Sequence, residues 1–392
     1  MVNNTEQVLQ GEEAVMVSTG NEHATWVTSD GSVWTWGGGT HSEMGISIPT
    51  GGHGAIEMCP LLLYRPDVFC PAAVMVACGS DFTLVLTEVG GVWSCGRGCT
   101  GESGLNNWEG LSVLTQIHPA RFGGLDDDGS PVVQIGMIAV GSSHSMSVGN
   151  GGGRLWTWGK NNCGQLGHSS VNTDTDLCTL TEINLTTFNN IGVTTVATDP
   201  VEFVDGGADF TMMVTVSGAV WGCGNCCHGE LGLGIVRMHN VLQRATGHEL
   251  LGEGGARTVA CGAFYTLIVT HSNVVWSCGY IGNPVRGRMK VPICLSGNHF
   301  DNVGVMVTGA GCLHSAAVTT QGCVYTWGDA EHDEPHGLGF YSTHCTTPHK
   351  RFSKMRCVRS ASAPGMQRRL RMHWLLPWDS MNALAVLLAT HL

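Results

Sequence analysis

Apolar positions in this chain come in short runs cut by glycine, and the clearest instance is Met137 to Gly167, M-I-A-V-G-S-S-H-S-M-S-V-G-N-G-G-G-R-L-W-T-W-G-K-N-N-C-G-Q-L-G. The first run predicts a short apolar strand that stops at Gly141. A tight turn through Ser142 and Ser143 delivers His144 at the head of a second strand, Ser145 to Val148. After a glycine-rich hairpin turn, Leu155 to Trp158 reads as a third strand, aromatic and β-branched enough to be buried. Gly159 ends it. Lys160 to Gly167 is then a return loop of Asn and Gly turn residues with Leu166 as its apolar anchor. Three short strands cannot bury both of their own faces, so such a unit is stable only when stacked on copies of itself.

The same grammar begins near Val15, Val74, Met137, Val201, Arg257 and Met306. In the first copy, Asp30-Gly31 between two apolar strands is a strong hairpin signal. The aromatic that opens each third strand falls at Trp34, Trp93, Trp156, Trp221, Trp276 and Tyr325, a period of about 58 residues. The return loop recurs in each copy, ending with H-G-L-G at His336 to Gly339, but it is degenerate in copy five around Gly282 to Arg288. This period suits a propeller blade of four strands, the fourth drawn from the variable segment between copies, for example Leu111 to Ile117. Propeller strands are covered on both faces, so Leu155 to Trp158 is expected to be mostly buried rather than alternating.

Composition agrees with many short strands. Glycine, at 56 of 392 residues, is about twice its usual share, and charged residues make up only 13%, which leaves little material for long charged helices. There is no run of about eighteen apolar residues and no basic-then-apolar leader at Met1, so neither a membrane span nor secretion is expected. Several of the 17 cysteines fall on repeat positions. Cys78 and Cys261 precede the turn glycine where other copies have Thr19, Val140 and Ala310, and Cys95, Cys223 and Cys278 replace Trp36, Trp158 and Trp327. Reduced core cysteine accounts for them. The C-x-x-C of Cys223 and Cys226, beside Cys227 and His228, is the metal-like spacing, but no second pair completes it, and no metal is expected.

The G-x-x-[HFY]-[ST] turn, the V-W-[ST]-[WC]-G strand and the G-[QE]-L-G loop resemble the repeat of the regulator of chromosome condensation family. The resemblance covers residues 15 to 339 and recurs six times. It implies an all-β fold, a seven-bladed β-propeller of four-stranded blades. Six clear repeats are then followed by 340–392 as a degenerate closing blade or a basic tail, within one domain over 1–392. That closing blade is expected from 341–392, completed by pairing near Val8 and Leu9. The segment carries eight basic residues and the single acid Asp379, so a propeller near −19 bears a tail near +7.

No catalytic constellation is expected. Ser142, Ser143 and His144 form the repeat turn, and the equivalent His23 and His314 recur with it, which points to a structural ring rather than a nucleophile–base pair. Gly149 to Gly153 joins two strands with no following helix to bind phosphate. Asp126, Asp127 and Asp128 lack calcium-loop spacing. His332, Asp333, Glu334 and His336 read as a chance cluster. Plant ultraviolet-B photoreceptors share the fold, but their turn tryptophans are missing here: the turn pairs are Asn21-Glu22, Ser80-Asp81, Ser142-Ser143, Ala208-Asp209, Ala263-Phe264 and Cys312-Leu313. The resemblance also implies exchange activity on a Ran-like GTPase, which uses acids and a histidine in these turns. Asp81 and Asp209 match, on blades two and four, with Ser143 between them and no wedge-like insertion. The expected function is therefore a non-catalytic protein–protein interaction platform, the alternative being a guanine nucleotide exchange factor. The candidate partner-binding turns are Glu22, Asp81, Ser143, Asp209 and His314. No cofactor is expected. The partner is expected to be a protein, a small GTPase under the alternative. An acidic propeller disfavours direct nucleic-acid binding, and no membrane contact is expected. The expected location is cytoplasmic or nuclear.

Overall fold

The computed structural model describes residues 13–38, 42–45, 56–66, 71–151, 153–168, 175–183, 199–245, 254–280, 288–295 and 298–328, together with the backbone of 345–352, 357–359 and 370–372. Blade one consists of β1 (Ala14–Thr19), β2 (His23–Thr28), β3 (Val33–Gly38) and β4 (Ile56–Tyr64), and blade two of β5 (Ala73–Cys78), β6 (Phe82–Thr87), β7 (Val92–Gly96) and β8 (Leu111–Gln116). Blade three follows as β9 (Ile135–Val140), β10 (His144–Gly149), β11 (Leu155–Gly159) and β12 (Leu177–Glu182), and blade four as β13 (Val201–Gly206), β14 (Phe210–Thr215), β15 (Val220–Gly224) and β16 (His239–Arg244). Blade five is β17 (Ala256–Cys261), β18 (Tyr265–Thr270), β19 (Val275–Gly279) and β20 (Met289–Cys294). Blade six is β21 (Val305–Ala310), β22 (His314–Thr319), β23 (Val324–Gly328) and β24 (Cys345–Phe352). Each is a four-stranded antiparallel sheet in sequential order, and successive first strands lie side by side around a central channel. The architecture is an all-β propeller of four-stranded blades.

Turn chemistry sets the hairpins. In blade one, the Asp30 carboxylate accepts from the Thr28 hydroxyl at 2.6 Å and the Ser32 N–H at 2.9 Å, while Gly31 takes φ +81°, a conformation costly for any residue with a Cβ. The second and third strands are then sandwiched between neighbouring blades. All of Leu155 to Trp158 is buried, and β6, β14 and β18 are buried along their whole length, so alternation fails where the stacking argument says it should. The core is a chain of inter-blade clusters. One joins Met16, Val27 and Val33 of blade one to Val85 of blade two and on to Trp156 and Trp158 of blade three. Others fill the seams between blades three and four, four and five, and five and six.

One expectation changes. The segment Cys345–Phe352 is the outer strand of blade six, pairing Gly328 with Cys345 and Val324 with Phe352. Part of 341–392 is thus spent completing blade six, because that blade, like every other, takes its fourth strand from the segment after its return loop. Six four-stranded blades are seen among the described residues. Beyond them, β25 (Cys357–Arg359) and β26 (Leu370–Met372) form a two-stranded sheet, and β26 lies against β1. Val8 and Leu9, the degenerate loop from Gly282 up to but not including Arg288, and His332, Asp333, Glu334 and His336 lie outside the described residues.

Candidate partner-binding face

The turns between first and second strands gather on one face around the channel mouth, and their geometry shows why the repeat uses His, Phe or Tyr there. His144 is fully buried, its ring packed so tightly that a Cβ on Gly141 would strike it. The Thr211 hydroxyl donates to the Gln165 carbonyl at 2.8 Å, so it accepts from His144 Nε2–H at 3.0 Å. His23 repeats the arrangement with Thr83, at 2.9 Å, and Thr83 donates to the Glu43 carbonyl at 2.8 Å. Burial lowers the pKa of both rings to about 4, which keeps them neutral at pH 7. These histidines are ties between blades.

The same carbonyls explain the exchange of Trp for Cys. Trp158 Nε1 donates to the Glu102 carbonyl at 2.9 Å, and in the equivalent place the thiols of Cys95, Cys223 and Cys278 reach the carbonyls of Glu43, Gln165 and Glu230 at 3.5, 3.3 and 3.2 Å. Blades two to five therefore each grip the return loop of the blade before. Burial pushes all three thiols well above the usual thiol range, so they are protonated and inert. Cys223 is committed to this grip while Cys226 Sγ contacts the Ile235 carbonyl at 3.5 Å and Cys227 is exposed. The C-x-x-C does not converge, and no group of three or more metal-ligating side chains occurs among the described residues.

The turn residues themselves differ from blade to blade. Glu22 is exposed, whereas Asp81 and Asp209 are half-buried and paired: Asp81 with Arg97 at 3.1 Å, and Asp209 with Lys160 of blade three at 2.9 Å. Ser143 is half-buried, and its carbonyl accepts the Lys160 N–H at 2.9 Å. His314 begins β22, and its carbonyl accepts from the Tyr265 hydroxyl at 2.6 Å. All five candidates share this face but sit on separate blades. Residue-by-residue reading missed an aromatic cluster there: the His228 ring lies tilted 5.1 Å from Phe264 and 6.1 Å from Tyr280, with the buried Glu230 carboxylate 3.0 Å from His228 Nδ1. Its only sequence signal is that blade five carries Phe264 and Tyr280 where blade two carries Asp81 and Arg97.

The description "Regulator of chromosome condensation (RCC1) repeat" matches residues 30–86, from the blade-one hairpin through β6 of blade two. Residues 30–86 therefore carry one RCC1 repeat. Over 334 residues it is 27% identical to the human E3 ubiquitin-protein ligase HERC2, a match covering 84% of this chain and 6% of HERC2. Over 324 residues it is 28% identical to the ultraviolet-B receptor UVR8 of Arabidopsis thaliana, covering 81% of this chain and 65% of UVR8. The chain thus spans less than two thirds of either relative. Among solved structures, human WBSCR16 aligns with a TM-score of 0.71 at 20% identity, over 89% of this chain and 84% of the other. Yeast RCC1 (Prp20) bound to Kap60 aligns with a TM-score of 0.66 at 18% identity, over 85% and 74%. At such identities the likeness establishes the propeller and leaves the partner open. Within this propeller, the strand frame is constant and the turn face is where blades differ.

Proposed function

We propose that the protein is a non-catalytic protein–protein interaction platform whose partner docks on the turn face. The observation that carries this reading is the contrast between frame and turns. Buried His23, His144, Cys95, Cys223 and Cys278 are spent on inter-blade bonds. The exposed and half-buried positions run Glu22, Asp81, Ser143, Asp209, Phe264 and Leu313, five kinds of side chain at one repeat position with only aspartate used twice. A surface of fixed shape and varied chemistry suits selection of one partner. Ultraviolet-B reception is not proposed, because no turn pair contains tryptophan. No helix among the described residues is long and apolar enough to cross a membrane. A cytoplasmic or nuclear location accompanies this reading.

The second reading is guanine nucleotide exchange on a Ran-like small GTPase. It is favoured by the likeness to Saccharomyces cerevisiae Prp20, a structure described with binding properties to Gsp1p and histones, and by acids at two of the turns. Against it, Asp81 and Asp209 already hold Arg97 and Lys160. Purified protein is expected to leave nucleotide release from a Ran-like GTPase at its intrinsic rate. About a hundredfold acceleration, ~2.7 kcal/mol of barrier, would replace the platform with the exchange reading, and Asp209→Ala should then slow release.

The reading also closes the ring with a seventh blade from residues 353–392. Its support is the position of β26 against β1 and the pairing of β25 with β26, Cys357 opposite Met372. A further support is Ala24. The other five blades place Thr83, Ser145, Thr211, Thr266 or Ser315 there, and the first four of these hydroxyls grip a preceding return loop. No G-[QE]-L-G loop occurs after residue 352 to be gripped, and blade one lacks the hydroxyl.

A further inference from the structure

The inner strands enclose a channel of about 680 Å³ whose mouth is ringed by the turn glycines. Among the described residues its lining holds two carboxylates, Glu22 and Asp205, and neither lysine nor arginine. A cleft lined by charge of one sign focuses its field on the opposite charge. Asp205 stands two residues before Gly207, where other blades have Ser18, Ala77, Ala139, Ala260 and Gly309. Its Oδ2 accepts the Cys261 N–H at 2.8 Å, as Ser18 Oγ accepts the Cys78 N–H at 2.9 Å. A neutral hydroxyl suffices for that bond, and an alanine or glycine dispenses with it, so the frame does not require a negative charge here.

Rim acids Asp81 and Asp209 have cationic partners, but Asp205 makes no ion pair among the described residues. Burial pushes its carboxyl up to about 7, the Cys261 and Gly206 N–H groups offsetting this only in part. A cation arriving beside it would gain an interaction that the free protein lacks. The rest of the wall includes Met137, Phe203, Val204 and Ala260. Such a wall suits a long aliphatic stem with charge at its tip, the form of a basic side chain rather than of a bare ion.

We propose that the channel receives a lysine or arginine side chain of the partner protein, which enters through the turn face and pairs with Asp205 while Glu22 guards the mouth. This rests on the platform reading. The test follows the alanine methyl signals of Ala77, Ala139 and Ala260 by NMR in the full chain during titration with blocked Gly-Lys-Gly, Gly-Arg-Gly and Gly-norleucine-Gly peptides. Saturable shifts are expected with lysine or arginine and not with norleucine, the two cationic arms separating ammonium from guanidinium. Affinity should fall at least about tenfold, ~1.4 kcal/mol, in Asp205→Asn, whose amide oxygen still accepts the Cys261 N–H. Asp205→Ala, which installs the residue of blades two, three and five, should lose binding with its melting temperature within a few degrees of wild type. Absent shifts, equal shifts with norleucine, or undiminished binding by Asp205→Asn would overturn the assignment. Capture from lysate separates the two readings. A partner held equally by wild type and Asp205→Asn sinks the channel site and leaves the platform, whereas peptide binding without any captured protein leaves the site and sinks the platform.

Discussion

Trp158 of blade three donates its indole N–H to the carbonyl of Glu102 in the return loop of blade two, 2.9 Å away, and Ser145 shares the same oxygen at 3.1 Å. One backbone carbonyl is thereby held by two donors of the next blade. Thr211 with Cys223 on Gln165, and Thr266 with Cys278 on Glu230, repeat the grip. This makes the return loops of blades one to four part of two blades each, so none of these blades can loosen without disturbing the next.

Removing a ring from this seam should be costly. Trp156 and Trp158 are both buried, with Phe122 edge-on to them at 5.8 and 6.5 Å. Trp156→Ala and Trp158→Ala are each expected to lose about 3–5 kcal/mol, as truncated core aromatics do. Equilibrium urea unfolding measures this, and an unshifted midpoint for either variant would contradict the packing.

The buried histidines make stability fall in mild acid. His23, His144 and His168 have folded pKa values lowered by burial to about 4, against 6.5 for the free side chain. The unfolded chain therefore binds protons first, and stability present above pH 6.5 is lost as pH falls toward 4. Asp205 works the other way. Its carboxyl is raised to about 7, so its ionisation costs stability as pH rises from 4 to 7. Replacing His144 by Phe, the residue that blades two and four use as Phe82 and Phe210, should flatten the melting-temperature profile between pH 4.5 and 6.5. A variant whose profile keeps the wild-type slope would show that His144 is not a titrating tie.

Much of this was legible because it is periodic. The turn glycine, the ring after it and the buried V-W-[ST]-[WC]-G strand repeat with their physical causes, and Leu111 to Ile117 was identifiable as a fourth strand because nothing else remained to close blade two. The pairing of Asp81 with Arg97 could be suspected from the sequence only once the turn and the end of β7 were known to meet. The bond between Asp209 and Lys160 crosses a blade boundary, and local pattern carries no trace of it. The place of Cys345–Phe352 in blade six is not legible, because an outer strand carries no repeat motif and is selected by what the third strand leaves unpaired.

The seam of the ring gives the last test. On the face of blade one turned away from blade two, Trp26 and Trp36 pack at a tilt of 55° with centroids 4.4 Å apart and lie with Val17. Trp26 is only 9% exposed. If residues 353–392 form the closing blade, their deletion strips cover from this pair and leaves unsatisfied sheet surface at β1, which promotes association. The truncated chain should melt lower and aggregate, and its tryptophan emission should shift to the red with greater acrylamide quenching. With Trp374 and Trp378, which the deletion removes, replaced by Phe in the full-length reference, much of that change should vanish in a Trp26→Phe/Trp36→Phe background, because Trp156, Trp158, Trp221, Trp276 and Trp327 are buried in seams that the deletion does not open and Trp108 is already exposed. A monomer with unchanged emission and the wild-type melting curve would instead make 353–392 an appendage to a ring closed without it.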